Sequence, residues 1–192
     1  MARPAKFDAD QILDAAATVA AESGQDAVTV TAVAARLGAP SGSIYHRYAS
    51  RDLLLARLWI RTVRRFQEGF LAAVEADDLA EAVRRAAAHT VRWSAAHPEE
   101  ARLLLRYHVE NLRLAWPDEL GEELSQLNVA SFAAMGRLAE RGHTDLERVV
   151  FALVDIPLAA VRRHLSRGGT IPERAARLAE VAALAVVLEN DL

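Results

Sequence analysis

Residues 29–52, TVTAVAARLGAPSGSIYHRYASRD, constrain this chain more than any other stretch. The spacing predicts two short helices joined by a glycine turn, then the start of a third. Thr29 is a good N-cap, and Val30, Val33, Ala34 and Leu37 recur on one helical face. Gly38 supplies the backbone freedom of a tight turn. Pro40 suits a helix start, where a missing N–H costs nothing. The next helix, roughly 41–47, offers only Ile44 and Tyr48 as an inward pair. Ser41, Gly42, Ser43, Tyr45, His46 and Arg47 are left largely outward. A helix entering the major groove needs small residues near base edges and donors for flanking phosphates. The competing reading is a solvated connector that tolerates a glycine at a cost of about 1 kcal/mol.

The rest of the chain also reads as helices. Ala is abundant, β-branched runs are few, and Gly and Pro sit where helices would end. Upstream, Asp8 or Asp10 caps a helix carrying Ile12, Leu13, Ala16, Val19 and Ala20 on one face, closed by Ser23-Gly24. Downstream, Ser50 caps a long helix with Leu55, Trp59, Val63, Phe66 and Phe70 on one stripe, and Arg57, Arg61, Arg64 and Arg65 on a solvated one. Asp77/Asp78 open a further helix, which His97-Pro98 breaks, and Trp116-Pro117-Asp118 makes another break. A long helix is expected from there to about Gly142. Two more close the chain, about 144–167 and 172–190, with Pro157 kinking the first.

Charge is divided along the chain. Residues 1–65 hold nine Lys/Arg against six Asp/Glu, so the remainder of this −3 chain carries −6. A basic end on an acidic body suits phosphate contact at that end. There is no Cys, which fits a reducing cytoplasm. The basic N-terminus has no apolar core of a secretory signal, and no apolar run approaches the roughly 20 residues that span a bilayer. A soluble, cytoplasmic protein without membrane contact is expected.

The segment ILDAAATVAAESGQDAVTVTAVAARLGAPSGSIYHRYASRDLLLARL resembles the N-terminal domain of the tetracycline-repressor (TetR) family of bacterial transcriptional regulators. The likeness covers roughly residues 7–58. It includes the ILDAA start, the Thr-Val opening of the second helix, the Ala-x-x-Gly turn, and Gly42-Ser43-Ile44-Tyr45-His46 leading to Tyr48 and Ser50. The chain departs from the common pattern at Pro40, where Ser or Thr often caps the reading helix. It departs again at Ser41 and Arg51, where Lys is frequent.

The resemblance implies an all-α fold of about nine helices. A three-helix helix–turn–helix DNA-binding domain (1–52) would precede a larger helical effector-binding and dimerisation domain (53–192). It implies that Gly42, Ser43 and Tyr45 lie at or near base edges, and that Tyr45, His46 and Arg51 hold phosphates. Thr31 is a further backbone contact. Ser41 lacks the expected cation, so affinity leans on Arg47 and on an N-terminal arm with Arg3 and Lys6. The expected partners are double-stranded DNA, a small-molecule effector and a second copy of the chain.

Two later regions fit that picture. The run 181–188 is apolar all the way round, and the helix before it is similarly broad, so each has a side to bury in a partner. Val150, Val154, Val161, Val181, Leu184 and Leu188 are the expected homodimer contacts, and the resemblance implies a four-helix bundle of these helices. The middle of the chain supplies Trp59, His89, Trp93, Tyr107, His108, Asn111, Phe132 and Phe151 as candidates for an apolar effector site with polar anchors. Asp155 joins them, because a carboxylate in a mostly apolar run before Pro157 is costly to bury without a task.

An enzyme is not expected. The chain has no Gly-rich phosphate loop, no cysteine, no Gly-x-Ser-x-Gly turn and no close histidine pattern for a metal. No cofactor is implied. The alternatives are a helical protein-interaction module and a regulator without a small-molecule ligand.

Overall fold

Each helix at the N-terminal end starts on a cap that the local sequence supplies. A computed structural model of the chain describes residues 7–106 and 118–189, and among them the regular structure is helical. Helix α1 (Ala9–Ser23) opens on a capping box: Asp8 accepts from the Gln11 N–H at 2.8 Å, and the Gln11 side chain accepts from the Asp8 N–H at 3.0 Å. A short 3₁₀ turn (Gln25–Ala27) leads to α2 (Val30–Leu37), where Thr29 Oγ1 accepts from the Ala32 N–H at 3.0 Å. Gly38 ends α2 in the left-handed region, φ 62°, which a residue with a Cβ adopts only at a cost. Helix α3 (Ser41–Tyr45) follows, with Pro40 as an extended N-cap. Ser50 Oγ then accepts from the Leu53 N–H and opens α4 (Arg51–Val74).

The remaining elements are α5 (Leu79–Ala96), α6 (Pro98–Arg106), a 3₁₀ turn (Asp118–Leu120), α7 (Gly121–Gln126), α8 (Val129–Arg141), α9 (Leu146–Val150), a π turn (Phe151–Asp155), α10 (Ile156–Leu165) and α11 (Glu173–Leu188). The expected long helix up to Gly142 is broken at Leu127–Asn128. The Gln67 side-chain amide donates there to the Leu127 carbonyl at 2.9 Å and to Asn128 Oδ1 at 3.0 Å, a tertiary tie that no local pattern announces. The helix expected over 144–167 starts two residues later, at Leu146 on the N-cap Asp145, and is interrupted by the π turn rather than only bent. Pro157 has no N–H to donate, and its ring crowds the carbonyl four residues back. Widening the ladder just before it relieves that conflict.

Packing divides the chain into two units, one of residues 7–62 with 106 and 118–124, the other of 63–105 and 125–189. In the first, Ile12, Leu13, Val30, Val33, Ile44, Tyr48 and the apolar run of α4 from Leu53 to Ile60 form the buried set, with Arg57 only partly covered. In the second, α5 packs on α10 and α11. Ala82, Ala86 and Ala87 on α5 and Ala175, Ala176, Ala179 and Ala183 on α11 are all buried, and such small residues let helix backbones approach closely. The one buried carboxylate on α11, Glu180, is met by Arg92 of α5 at 2.8 Å. Among the described residues, no helix is long and apolar enough to cross a membrane.

Candidate nucleic-acid interface

Helix α3 is anchored from beneath by one residue. Ile44 is wholly buried, and Tyr48, just past the helix, is buried beside it, as the four-residue spacing predicts. The rest of α3 faces outward. Gly42, Ser43, Tyr45, His46 and Arg47 are exposed, Tyr45 by 49%, and Ser41 is half-buried. The side chains of Tyr45, His46 and Arg47 make no hydrogen bond or ion pair with the described residues, so their donors remain available to an outside partner. A Cβ built on Gly42 would meet nothing within 4 Å. No neighbour inside the chain therefore requires a glycine there, although glycine is a poor helix former. On α2, Thr31 is exposed, with its hydroxyl 3.0 Å from that of Thr29. Lys6, like Arg3, lies outside the described residues.

Arg51, expected at a phosphate, differs from this set in being hydrogen-bonded within the chain. Its Nε donates to the Val28 carbonyl at 2.7 Å, and Nη2 donates to the Gln25 carbonyl at 3.2 Å and the Asp26 carbonyl at 3.5 Å. The guanidinium thus gathers three carbonyls of the segment 25–28, among them that of Gln25, which also accepts from the Val28 N–H at 3.2 Å, and so ties down the entry into α2. Asp26 is held a second time by a two-pronged ion pair with Arg106, at 2.8 and 3.4 Å. The arginine stripe of α4 is also committed rather than merely solvated: Arg57 pairs with Glu123, Arg61 with Asp14 at 2.8 Å, and Arg65 with Glu100.

The described candidate effector residues fall in both units. Trp59 is buried in the first unit. His89 and Trp93 come together in the second, with Phe66 centred 5.1 Å from His89 and 5.4 Å from Trp93, and His97 stacked on Trp93 at 4.9 Å. His97 continues the four-residue spacing of His89 and Trp93 as the C-cap of α5, while Phe66 joins them from α4, which spacing along α5 does not reach. His89 Nε2 lies 2.9 Å from the Phe66 carbonyl, and burial holds its pKa below the ordinary value. Phe132, Phe151 and Asp155 are all exposed, so the buried carboxylate expected at Asp155 is corrected. Tyr107, His108 and Asn111 lie outside the described residues. Among the described residues, no cluster of His, Cys, Asp and Glu could hold a metal.

The expected dimer residues also separate. Val161 is 1% exposed and belongs to the unit's own core, while Val150, Val154 and Leu184 are partly buried against it. Val181 and Leu188 are exposed, and Leu178, which lies just before the apolar run, is the most exposed of all at 66%. The spacing 178, 181, 185, 188 was the available signal, since it puts four outward positions on one face of α11. Phe151 and Leu146 add exposed apolar surface on the preceding segment.

Residues 12–58 match the family model of bacterial regulatory proteins of the tetR family. The whole chain is similar in structure to a transcriptional regulator from Rhodococcus sp. RHA1, with a TM-score of 0.77 and 20% identity over 95% of this chain and 96% of that one. It is similar to the fatty acid degradation regulator FadR from Bacillus halodurans, with a TM-score of 0.72 and 18% identity over 95% and 96%. The TetR family transcriptional regulator PfmR from Thermus thermophilus matches with a TM-score of 0.69 and 17% identity over 94% and 99%. At these identities the likeness is one of fold. No curated protein sequence matches the chain. Its N-terminal segment thus matches the DNA-binding segment of the tetR family, and the chain as a whole has the fold of TetR family transcriptional regulators.

Proposed function

We propose that this protein is a homodimeric repressor that leaves a palindromic operator when a small molecule binds. Residues 1–52 are the reading domain, and 53–192 the effector and dimerisation domain. The observation that carries the reading is the outward face of α3. It has a buried anchor at Ile44 and, opposite it, Gly42, Ser43, Tyr45, His46 and Arg47 turned to solvent. Gly42, Ser43 and Tyr45 approach base edges. His46, Arg47 and Tyr45 hold flanking phosphates, with Thr31, Ser41 and Lys6 as further contacts. Arg51 positions the motif and does not bind phosphate.

A single five-residue helix reads too little sequence to specify an operator. Two copies about 34–36 Å apart would meet successive faces of the major groove. The exposed apolar residues Leu178, Val181, Leu188 and Phe151 support a second copy of the chain as the partner that supplies the other helix. The effector reading draws on the Phe66–His89–Trp93 cluster, an apolar group with a polar anchor. One similar protein is named as a fatty acid degradation regulator, so acyl compounds belong in the first panel of effectors.

Footprinting on the DNA upstream of the protein's own reading frame tests the first claim. Protection should weaken steeply with salt, because phosphate contacts release counterions. Absence of protection at low salt would defeat the regulator reading. Sedimentation at micromolar concentration tests the second, and a monomer there would remove the dimer. Release of bound DNA by one member of the effector panel, and by none of its isomers, tests the third.

A further inference from the structure

Ser43 is the third residue of α3 and is exposed. Its hydroxyl donates to the Pro40 carbonyl at 2.6 Å, and its own N–H donates to the same carbonyl at 3.0 Å. Serine has one hydroxyl hydrogen and two lone pairs. With the hydrogen taken by Pro40, the outward side of Oγ offers lone pairs only. Donating that hydrogen also makes the oxygen a better acceptor. Pro40 holds the carbonyl in place from an extended N-cap, φ −63° and ψ 134°. The neighbouring Gly42 contributes no side chain and has open space around it, so Oγ is approachable.

The two sides of the major-groove code treat such an oxygen differently. Adenine N6 and cytosine N4 are amino donors, whereas guanine O6 and N7 and thymine O4 are acceptors. We infer that Ser43 acts as a hydrogen-bond acceptor and selects adenine or cytosine at the base it faces, against guanine and thymine on that strand. The inference rests on the reading of α3 as the DNA-contacting helix. To serve guanine O6 the hydroxyl must turn its hydrogen away from Pro40 and exchange one hydrogen bond for another. The net worth of one such bond sets the discrimination at about threefold to tenfold.

The test is selection from random double-stranded DNA with the full-length protein, alongside Ser43→Ala and Ser43→Thr. Affinities are then measured on four operators that differ at the responsive position in both half-sites. The wild type should enrich adenine or cytosine at one symmetry-related position and bind those operators about threefold to tenfold more tightly. Ser43→Ala should flatten that position alone, with the rest of the selected site unchanged. Ser43→Thr keeps a hydroxyl and should keep the preference. Because adenine or cytosine on one strand is thymine or guanine on the other, the contacted amino group is located by replacing the selected adenine with purine, or the selected cytosine with 2-pyrimidinone, each of which lacks it. Unchanged wild-type binding after that replacement overturns the inference, as does a wild-type site that groups adenine with guanine at the position that alanine flattens. So does an alanine variant that selects the same site as the wild type, or a threonine variant that loses the preference with it. If the wild type enriches no sequence, the reading of α3 itself fails before any variant is compared, and this inference falls with it.

Discussion

The outward faces of α3 and α11 are both left over after folding, and their chemistry is opposite. On α3 the leftover groups are a glycine, a serine hydroxyl, a phenol, an imidazole and a guanidinium. Water accepts such a face without penalty, so nothing in folding demands it. The glycine even weakens its helix. On α11 the leftover groups are Leu178, Val181 and Leu188, which water does not favour. Covering apolar surface is worth roughly 25 cal/mol per Å², so a face of this kind gains by meeting a like face. The contrast teaches how to tell the two partners apart: polar groups around a missing side chain suit a groove in nucleic acid, while an apolar stripe suits another copy of the chain.

The largest effect should come from the α11 face. Leu178→Asp with Val181→Asp places two charges where a partner helix would sit, while each site is already open to water in one chain. Sedimentation should show monomers with an unchanged helical spectrum. Loss of the second reading helix should cost on the order of a hundredfold in operator affinity. A double variant that stays dimeric would show that this stripe is not the contact, and the comparison with α3 would lose its second half.

Next in size is Arg51→Ala. Hydrogen bonds from a charged donor contribute about 1.5–3 kcal/mol, and this side chain supports three carbonyls at the entry to α2. Urea unfolding should show a loss of about 2 kcal/mol, with the salt dependence of DNA binding unchanged. A phosphate contact would instead reduce that salt slope by about one and leave stability alone. The measurement separates a residue that builds the reader from one that touches what is read.

Within α3 the effects should be smaller and clean. Tyr45→Ala removes a half-exposed ring with no partner in the described chain, so unfolding free energy should change by no more than about 0.5 kcal/mol. Operator affinity should fall about tenfold, measured by a gel shift at fixed salt, within the cost of a contact residue. A variant that unfolds, or one that binds normally, refutes the assignment. Gly42→Ala should go in two directions at once. It should raise stability by about 0.5–1 kcal/mol, because the added methyl meets nothing in the chain. It should also weaken operator binding by holding the helix off the bases. A stabilised protein with unaltered binding would mean that Gly42 does not face DNA.

These expectations show why the motif could be read in the sequence and its surroundings only in part. Thr29, Gly38 and Ser50 act through neighbours within a few residues, and Ile44 through its four-residue spacing to Tyr48, so spacing alone gives their roles. Arg51 acts on carbonyls more than 20 residues away, and Gln67 breaks a helix 60 residues on. No local pattern carries such information. The same holds for the dimer candidates. Periodicity marks both sides of an apolar helix, but it does not say that Val161 turns inward while Leu178 turns out.

The smallest effect concerns His89, on the side of the molecule where outward chemistry gives no guide. Its ring fills the space over Gly69, where an added Cβ would come within 2.3 Å of Cε1, and Nε2 donates to the Phe66 carbonyl. Burial holds its pKa below the usual 6.5, against the raising influence of that carbonyl. The unfolded chain therefore takes up a proton first as pH falls, and stability rises with pH wherever the unfolded state binds more protons. His89 imposes no such penalty above about 6.5, and its penalty grows on acidification from there down through the folded value. His89→Gln keeps an amide donor for Phe66 and removes the titration. Urea unfolding at a series of pH values from about 7.5 to about 5.5 should then show a shallower slope than in the wild type. An unchanged slope would mean that the ring is not held neutral by the Phe66–Gly69 surface. The aromatic cluster would then lose the polar anchor that the effector reading gives it.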